Sequence, residues 1–467
     1  MEYQLYPRRW LFLLNVSLLN TMCTMIMVSF SPVATLVTQY YQISGDQVDL
    51  LPLVAMGLNV VGMVAAIYCI GKFKLLVALR YSTGITLVGG IVRGLSTVFS
   101  TETIGRTTQF WVTFGGQIII SLGVPIVIPM STKTSQVWFG ENERPISTAI
   151  LSLSPVMGGI LGQALSPLIM RDDQENVTIL NLVIVSPLLL TFLSSWFLLK
   201  SAEPPTPPSR SAEQLLLQKS PTLTQICANM LKIIKNPTVF TIILCQGLGS
   251  GMTQTLLTQL NQLMCSRNYS INQSTWTAII NILVGFLGAF SINYFAKKHK
   301  LQEETAKIGF ALACISTIIM MMALNTYENL WVIMLGFAGF GFFGYAAYPM
   351  SLELAVEESY PTDASISEAF MHIGNSNFLC PKNSMIFLIL ASNVSSGILI
   401  LLGNVMYKDL DPRLPNECKT EGDIGVKARD YTPYFYWIMS IATLFPILFI
   451  LFARPSMRRS HADDDKE

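Results

Sequence analysis

The sequence consists largely of apolar runs about as long as a bilayer is thick, separated by short polar segments. A helix needs about 20 apolar residues to cross the hydrocarbon core, and about twelve runs meet that requirement. They lie near residues 10–38, 50–71, 81–99, 109–131, 146–170, 178–199, 239–264, 276–296, 306–324, 330–352, 384–407 and 432–453. The pattern predicts an all-α membrane protein with twelve transmembrane helices.

A polar, proline-rich stretch that starts at Ser201 interrupts the series between the sixth and seventh runs. Its composition is that of a linker rather than of a membrane span. The sequence therefore predicts two six-helix bundles that are joined by a cytoplasmic segment. The predicted parts are an N-terminal bundle at 1–199, a linker at 200–237, a C-terminal bundle at 238–454 and a cytoplasmic tail at 455–467.

Lys and Arg concentrate in alternate loops, in the linker and in the tail, which places those segments in the cytoplasm by the positive-inside rule. The basic loop at 408–429 is an exception on the opposite side. Asn-X-Ser/Thr triplets on that outer side predict N-glycosylation at Asn176, Asn268 and Asn272. We expect a multi-pass membrane protein, and favour the plasma membrane over an endolysosomal membrane.

The composition excludes several classes of protein. Hydrophobic residues make up 51% of the chain and charged residues only 13%, so an ordinary soluble domain is excluded. The formal net charge of +1 gives no electrostatic footprint for nucleic acid. The eight cysteines show no metal-binding spacing, so we expect no metal and no cofactor, and most cysteines should be reduced and buried.

Titratable groups are sparse within the predicted spans. The three histidines, His299, His372 and His461, lie in a loop, in a later segment and in the tail. Proton-coupled carriers usually depend on buried titratable side chains. Their scarcity favours facilitated diffusion or exchange. The sequence shows no serine–histidine pairing of the kind that would indicate an enzyme.

The seventh run is the least uniformly apolar. In a helix, Gln254, Thr258 and Asn261 share one face, and a second row of Thr255, Gln259 and Gln262 lies beside it. Amides are costly in lipid, so this surface should face other helices or a water-filled path. Two interpretations stay open. The polar side chains of this surface bind solute, or they form interhelical hydrogen bonds worth about 0.6–2 kcal/mol each.

Other spans carry isolated polar or soft residues. In the first run Asn20 and Met27 lie on one stripe, and Gln117 stands within the fourth run. The candidates for lining a solute cavity are therefore Asn20, Met27, Gln117, Gln254, Asn261 and Gln262. Packing is the alternative for each. Arg93, near the outer end of the third run, is interpreted as snorkelling to the interface, with attraction of an anionic group as the alternative.

The six-plus-six layout and several motifs resemble a known family. The motifs are Tyr6-Pro-Arg-Arg-Trp10, Gly116-Gln117, Val137-Trp-Phe-Gly140, Leu260-Asn-Gln262 and Glu353-Leu-Ala-Val-Glu357. Together they resemble the feline leukaemia virus subgroup C receptor-related family, solute carrier family 49 of the major facilitator superfamily. The resemblance implies twelve transmembrane helices in two pseudo-symmetric six-helix bundles, the major facilitator fold. It also implies an alternating-access carrier with its site between the halves.

Departures from the family bear on the solute. Choline-carrying relatives enclose a quaternary ammonium between a tryptophan on the first span and a tyrosine on the seventh. The matching positions here are Met27 and Gln254, so the resemblance gives no aromatic cage. Within the shared motif, Glu353 and Glu357 are candidates for a cytoplasmic gate. Residues 368–383 look inserted relative to the family, either as a genuine loop or as a gene-model artefact.

The expected function is transport of a small, neutral or zwitterionic organic solute by facilitative alternating access, through a site on the first, fourth and seventh spans. The expected partners are that solute and the lipid bilayer, with no nucleic acid, and we expect a monomer. Two alternatives stay open. One is a receptor or scaffold that does not transport, and the other is transport of haem, choline or ethanolamine as in the resembled family.

Overall fold

A computed structural model gives the fold of the chain. It describes residues 4–98, 105–140, 143–170, 173–201, 204–208, 237–299, 301–325, 329–358, 394–406, 408–409 and 429–452. These residues are almost wholly helical, apart from a short antiparallel pair formed by Lys408–Asp409 and Arg429–Asp430. The chain divides into two compact units, Met1–Leu223 and Thr224–Glu467.

The first unit contains six spans built from seven helices. They are α1 (Arg8–Val28), α2 (Ala34–Tyr41), α3 (Gly45–Lys72), α4 (Leu75–Val98), α5 (Arg106–Trp138), α6 (Arg144–Met170) and α7 (Val177–Leu193). Short 3-10 turns lie at Ser31–Val33 and Gln174–Asn176, and a π-helical turn at Ser194–Leu198 extends α7. The helices α1 and α2 together correspond to the first predicted span.

The second unit contains six further helices in the part of the chain that the structure describes. They are α8 (Pro237–Cys265), α9 (Ile271–His299), α10 (Gln302–Asn325), α11 (Leu330–Glu358), α12 (Val394–Val405) and α13 (Thr432–Phe452). Within the described residues, nine helical segments are long and apolar enough to cross a membrane. The all-α membrane architecture is confirmed. Most of the predicted linker, the 368–383 segment and the tail lie outside the described residues, so the predicted domain bounds stay predictions.

The same helix pairings occur in each unit. In the first unit α3 and α4 both pack on α5, and in the second unit the corresponding helices α9 and α10 both pack on α11. The first span of each unit also binds its fifth. Between α1 and α6 the Thr21 hydroxyl donates to the Ser154 carbonyl at 2.9 Å, and between α8 and α12 the Thr255 and Ser396 hydroxyls lie 3.0 Å apart. The repeat agrees with two pseudo-symmetric bundles.

Small residues bring α1 and α6 into close contact. A Cβ atom at Gly158 would collide with the carbonyl of Thr21, and one at Gly162 would collide with the side chain of Val28. This is the small-residue packing expected between membrane helices, where backbones can approach only if no side chain intervenes. The fifth span therefore packs closely against the first in this unit.

The first span is broken near its outer end. The helix α1 stops at Val28, and a 3-10 turn with Pro32 separates it from α2. Proline has no backbone N–H, and Val33 has a non-helical conformation (φ −119°, ψ 24°), so the ladder of helical hydrogen bonds cannot run through. The last carbonyls of α1 therefore need partners from elsewhere.

Candidate solute-binding residues in the two units

Arg93 on α4 is the centre of a buried polar group in the first unit. The residue is only 2% exposed. Its guanidinium donates to Asn181 Oδ1 at 3.0 Å, to Gln117 Oε1 at 2.9 Å and to Ser29 Oγ at 3.0 Å. The guanidinium carbon also lies 4.2 Å from the centroid of the Phe30 ring. The prediction that Arg93 snorkels to the interface is therefore wrong, because neighbouring helices supply the acceptors that water would supply there.

Arg93 also closes the broken end of α1. Its Nη1 lies 3.5 Å from the Ile26 carbonyl, which belongs to the last turn of that helix. The Ser29 hydroxyl donates to the same carbonyl at 2.9 Å and therefore accepts from Arg93 through a lone pair. The C-terminal end of a helix carries a partial negative charge, so a cation is stabilised there. Arg93 thus stabilises the end of α1 at the break in the first span.

Within the part of the chain that the structure describes, no carboxylate pairs with Arg93. The ion pairs there are Arg9–Glu143, Arg106–Glu175, Arg267–Asp430 and Lys307–Glu303. Carbonyl, amide and hydroxyl oxygens solvate the charge but do not neutralise it. A buried charge in a membrane span is expensive, and such residues typically mark functional sites.

The two candidates on the first span have different surroundings. Asn20 is buried, and its Nδ2 donates to Ser131 Oγ on α5 at 2.9 Å and to the Leu151 carbonyl on α6 at 3.4 Å. Met27 is half-buried on the same helix. Asn20 therefore joins α1 to two neighbours, whereas Met27 retains surface that a solute can touch.

The two polar rows of α8 have different surroundings. Thr255, Gln259 and Gln262 face helices of their own unit. Gln259 Nε2 lies 3.5 Å from the Ile400 carbonyl on α12, and the Tyr431 hydroxyl donates to Gln262 Oε1 at 3.1 Å just before α13 begins. These side chains form the interhelical hydrogen bonds that the sequence offered as the alternative to solute binding.

The other row is less engaged. Thr258 donates back to the Gln254 carbonyl of its own helix at 3.0 Å, and buried Asn261 donates weakly to Ser274 Oγ on α9 at 3.4 Å. The side chain of Gln254 is half-buried and makes no hydrogen bond to any residue that the structure describes. Gln254 therefore keeps both amide donors and its acceptor for a further partner.

The end of α8 at Cys265 carries a disulfide. Cys265 is disulfide-bonded, whereas Cys23, Cys245 and Cys314 are outside any disulfide and buried as expected. Two residues further on, Arg267 forms an ion pair with Asp430 at 3.2 Å. Disulfides persist in oxidising compartments, so this feature agrees with the predicted outward orientation of the loop between α8 and α9.

The predicted glycosylation sites lie in the turns before helices or in the first turn of a helix. Asn268 and Asn272 are exposed, and Asn268 has a positive φ of 63°. Asn176 is half-buried, and its Nδ2 donates to the Met170 carbonyl at 3.0 Å. The gate candidates Glu353 and Glu357 lie in the last turns of α11, and their side chains are outside the described set. Among described residues no group of His, Cys, Asp and Glu could hold a metal ion.

A family model described as Major Facilitator Superfamily matches residues 7–374. The chain belongs to this superfamily. Its fold agrees with the match, because each unit repeats the same helix pairings around α5 or α11. Members of the superfamily move solutes across membranes, and this protein is accordingly a multi-pass transporter of small molecules rather than an enzyme.

Relatives within the superfamily support the resemblance drawn from the motifs. Solute carrier family 49 member A3 of Xenopus tropicalis is 27% identical over 372 residues, which cover 80% of this chain and 76% of that protein. The choline/ethanolamine transporter flvcr2a of Danio rerio is 23% identical over 418 residues, which cover 86% of each chain. The resemblance to solute carrier family 49 is confirmed.

Solved structures of the major facilitator fold also match. A D-xylose–proton symporter aligns with a TM-score of 0.70 at 14% identity, covering 96% of this chain and 98% of the symporter. A bacterial homologue of the human lysosomal transporter Spinster, inward-facing and unoccupied, aligns with a TM-score of 0.65 at 13% identity, covering 99% of each chain. At such identities the likeness concerns the fold alone.

Proposed function

We propose that this protein carries a small neutral or zwitterionic organic solute by facilitative alternating access, as a monomer in the plasma membrane. The observation that carries the proposal is the contrast between the two rows of α8. One row is engaged by neighbouring helices, whereas Gln254 is half-buried and keeps its amide for another partner. A half-buried amide at membrane depth is costly unless protein, water or ligand completes its hydrogen bonds.

In this proposal each unit offers side chains to the solute, the first from α1 and α5 and the second from α8. Met27 supplies a soft apolar surface, and the half-buried Gln254 supplies both ends of its amide. Gln117 is 1% exposed and its oxygen accepts from Arg93, so it supplies only its Nε2 donors. Asn20 in the first unit, and Asn261 and Gln262 in the second, hold neighbouring helices through contacts within their own units. Rocking of the two units about the solute would then give alternating access.

The facilitative mechanism is supported by the placement of titratable groups. His299 is the last residue of α9, and the other two histidines lie beyond the predicted spans. Two charged side chains are buried among the described residues of the first unit. They are Arg93, whose hydrogen-bond partners are neutral oxygens, and Asp49, which lies in the first turns of α3, before the predicted span at 50–71. A proton relay needs a carboxylate or histidine to take up and release the proton.

A second candidate is transport of choline or ethanolamine. Similarity to transporters of those solutes favours it. Met27 and Gln254 weigh against choline, because the quaternary ammonium has no N–H to donate and is best recognised by aromatic faces. Ethanolamine has an ammonium that can donate to the Gln254 amide oxygen and a hydroxyl that can also accept from an amide N–H, so it fits these side chains better.

The deciding experiment is flux into proteoliposomes that contain the purified protein. We expect saturable uptake of at least one member of a panel of amines, amino acids and vitamins, with accelerated exchange when the same solute is loaded inside. Uptake should persist after a proton ionophore is added. Absence of saturable flux for every solute would sink the carrier proposal, and flux abolished by the ionophore would sink its facilitative mechanism.

A further inference from the structure

Arg93 does more than hold helices together. We propose that Arg93 is a positioning residue that fixes which end of the Gln117 amide faces the solute, so that the first unit recognises a hydrogen-bond acceptor, and best of all a carboxylate. This inference rests on the proposed function, in which Gln117 contacts the solute.

The first step is the chemistry of the contact between the two side chains. A guanidinium has only N–H donors, whereas a glutamine amide has an acceptor oxygen at one position and two N–H donors at the other. Arg93 Nη1 lies 2.9 Å from Gln117 Oε1. The reversed amide would bring its N–H groups against the N–H groups of Arg93. Arg93 therefore selects one orientation of an otherwise ambiguous side chain and leaves the Nε2 end for other partners.

The second step is charge. In the described part of the chain, the acceptors around Arg93 are the Ile26 carbonyl, the Ser29 hydroxyl and the amide oxygens of Gln117 and Asn181. None of these groups carries a formal charge, so a positive charge stays behind the amide. Inside a protein its field is weakly screened. Because Arg93 donates to Gln117 Oε1, the charge polarises the whole amide and makes its Nε2–H groups stronger donors. A negatively charged acceptor gains most from this arrangement.

The competing explanation is that Arg93 only closes the end of α1. That role is present as well, through Ile26 and Ser29. The two roles predict different effects on solute selectivity when Arg93 loses a contact. Loss of a contact at the end of α1 lowers stability and leaves the preferred solute group unchanged. Loss of the charge behind Gln117 changes the preferred group.

The test uses two pairs of probes. β-Alanine and ethanolamine share an aminoethyl group and differ in having a carboxylate or a hydroxyl, and glycine betaine and choline differ in the same way. Each is offered as a competitor for uptake in proteoliposomes. For wild type we expect the carboxylate member of at least one pair to compete at least about tenfold more strongly than its hydroxyl partner. A difference of that size is what a hydrogen bond to a charged group contributes to binding.

The informative variant is Gln117→Glu. Its carboxylate keeps an oxygen towards Arg93, neutralises the charge and removes the Nε2 donors. We expect the preference for the carboxylate competitor to disappear or reverse. The control Ser29→Ala removes a contact at the end of α1 and should keep the preference. The inference is overturned if wild type and Gln117→Glu show the same preference. It is also overturned if a solute is transported but none of the four probes competes with it. In both cases the proposed function stands.

A second measurement needs no solute. Because Gln117→Glu places a carboxylate against an unneutralised Arg93, its melting temperature should equal or exceed that of wild type, whereas Gln117→Leu should melt lower. If both variants melt lower by the same amount, the Arg93–Gln117 arrangement is wrong. If Gln117→Glu is stabilised but wild type transports no solute at all, the proposed function fails and the arrangement of the pair still stands.

Discussion

Arg93 Nη1 lies 2.9 Å from Gln117 Oε1, and this hydrogen bond joins α4 to α5 deep in the first unit. The same guanidinium reaches Asn181 on α7 and Ser29 at the end of α1. One cation thereby connects four spans of a six-span bundle. In a transporter whose halves move as bodies, such a connection keeps one half rigid while access alternates.

Replacing Arg93 by Met should destabilise the first unit strongly. The change leaves several buried acceptors without donors, each costing about 1–3 kcal/mol. We expect the melting temperature in detergent to fall by many degrees, with a smaller fall for Arg93→Lys, which keeps the charge but loses the fork of donors.

The matched control is Arg80→Met. Arg80 is half-buried and donates to carbonyls at the end of the π-helical turn, including those of Ser195 and Leu199. Water can replace these bonds at a helix end, so this variant should melt near wild type. Equal melting temperatures for Arg93→Met and wild type would contradict the role assigned to the buried cation.

The two rows of α8 should respond differently to loss of an amide. Gln254→Ala should raise the apparent KM for the transported solute about fivefold or more, because about 1 kcal/mol of solute binding is lost. Its melting temperature should stay at the wild-type value. Gln259→Ala should instead lower the melting temperature, because its contact to Ile400 holds α12 on α8. A Gln254→Ala protein with unchanged KM and a lower melting temperature would make that residue structural.

The spans were predictable from sequence because lipid imposes a simple demand. A helix without about 20 apolar residues cannot cross, and that criterion alone located a helix for each predicted span. The break at Ser29–Val33 was not predictable in the same way. A proline within an apolar run does not always end a helix, and α6 continues through Pro155.

The environment of individual polar residues was harder to predict. The sequence pattern around an arginine near the end of a run is the same whether its side chain reaches water or other helices. Asn181 and Gln117 become partners of Arg93 only when α4, α5 and α7 are packed. A clue was present, since the third, fourth and sixth spans each carry a large polar side chain, Arg93, Gln117 and Asn181. The two rows on α8 were likewise indistinguishable until α12 and Tyr431 were seen beside one of them.

Glycosylation at Asn268 and Asn272 can be tested by gel mobility. Both residues are exposed, so we expect a glycosidase to increase the mobility of wild type. Asn268→Gly with Asn272→Gln should remove part of that shift, and glycine suits the positive φ at position 268. Adding Asn176→Gln should remove the rest.

The control for these sites is Asn15→Gln. Asn15 also begins an Asn-X-Ser triplet, but it is buried in α1 and donates to the Thr191 carbonyl at 3.1 Å. Its replacement should leave the glycosidase shift unchanged. An unshifted wild type would contradict the predicted glycosylation, and a shift lost with Asn15 would contradict the assignment of α1 to the membrane.

The disulfide at Cys265 gives a test of orientation. A disulfide bond is maintained outside the cytosol, so the bond should be open to a membrane-impermeant reductant applied to intact cells. After reduction, an impermeant maleimide should label wild type but label Cys265→Ser less, and Cys314→Ser, which loses a free buried thiol, should label like wild type. The Cys265→Ser protein should also unfold more readily, by about 2–4 kcal/mol. Labelling that requires permeabilised cells would reverse the orientation of α8, and with it the predicted side of Asn268 and Asn272.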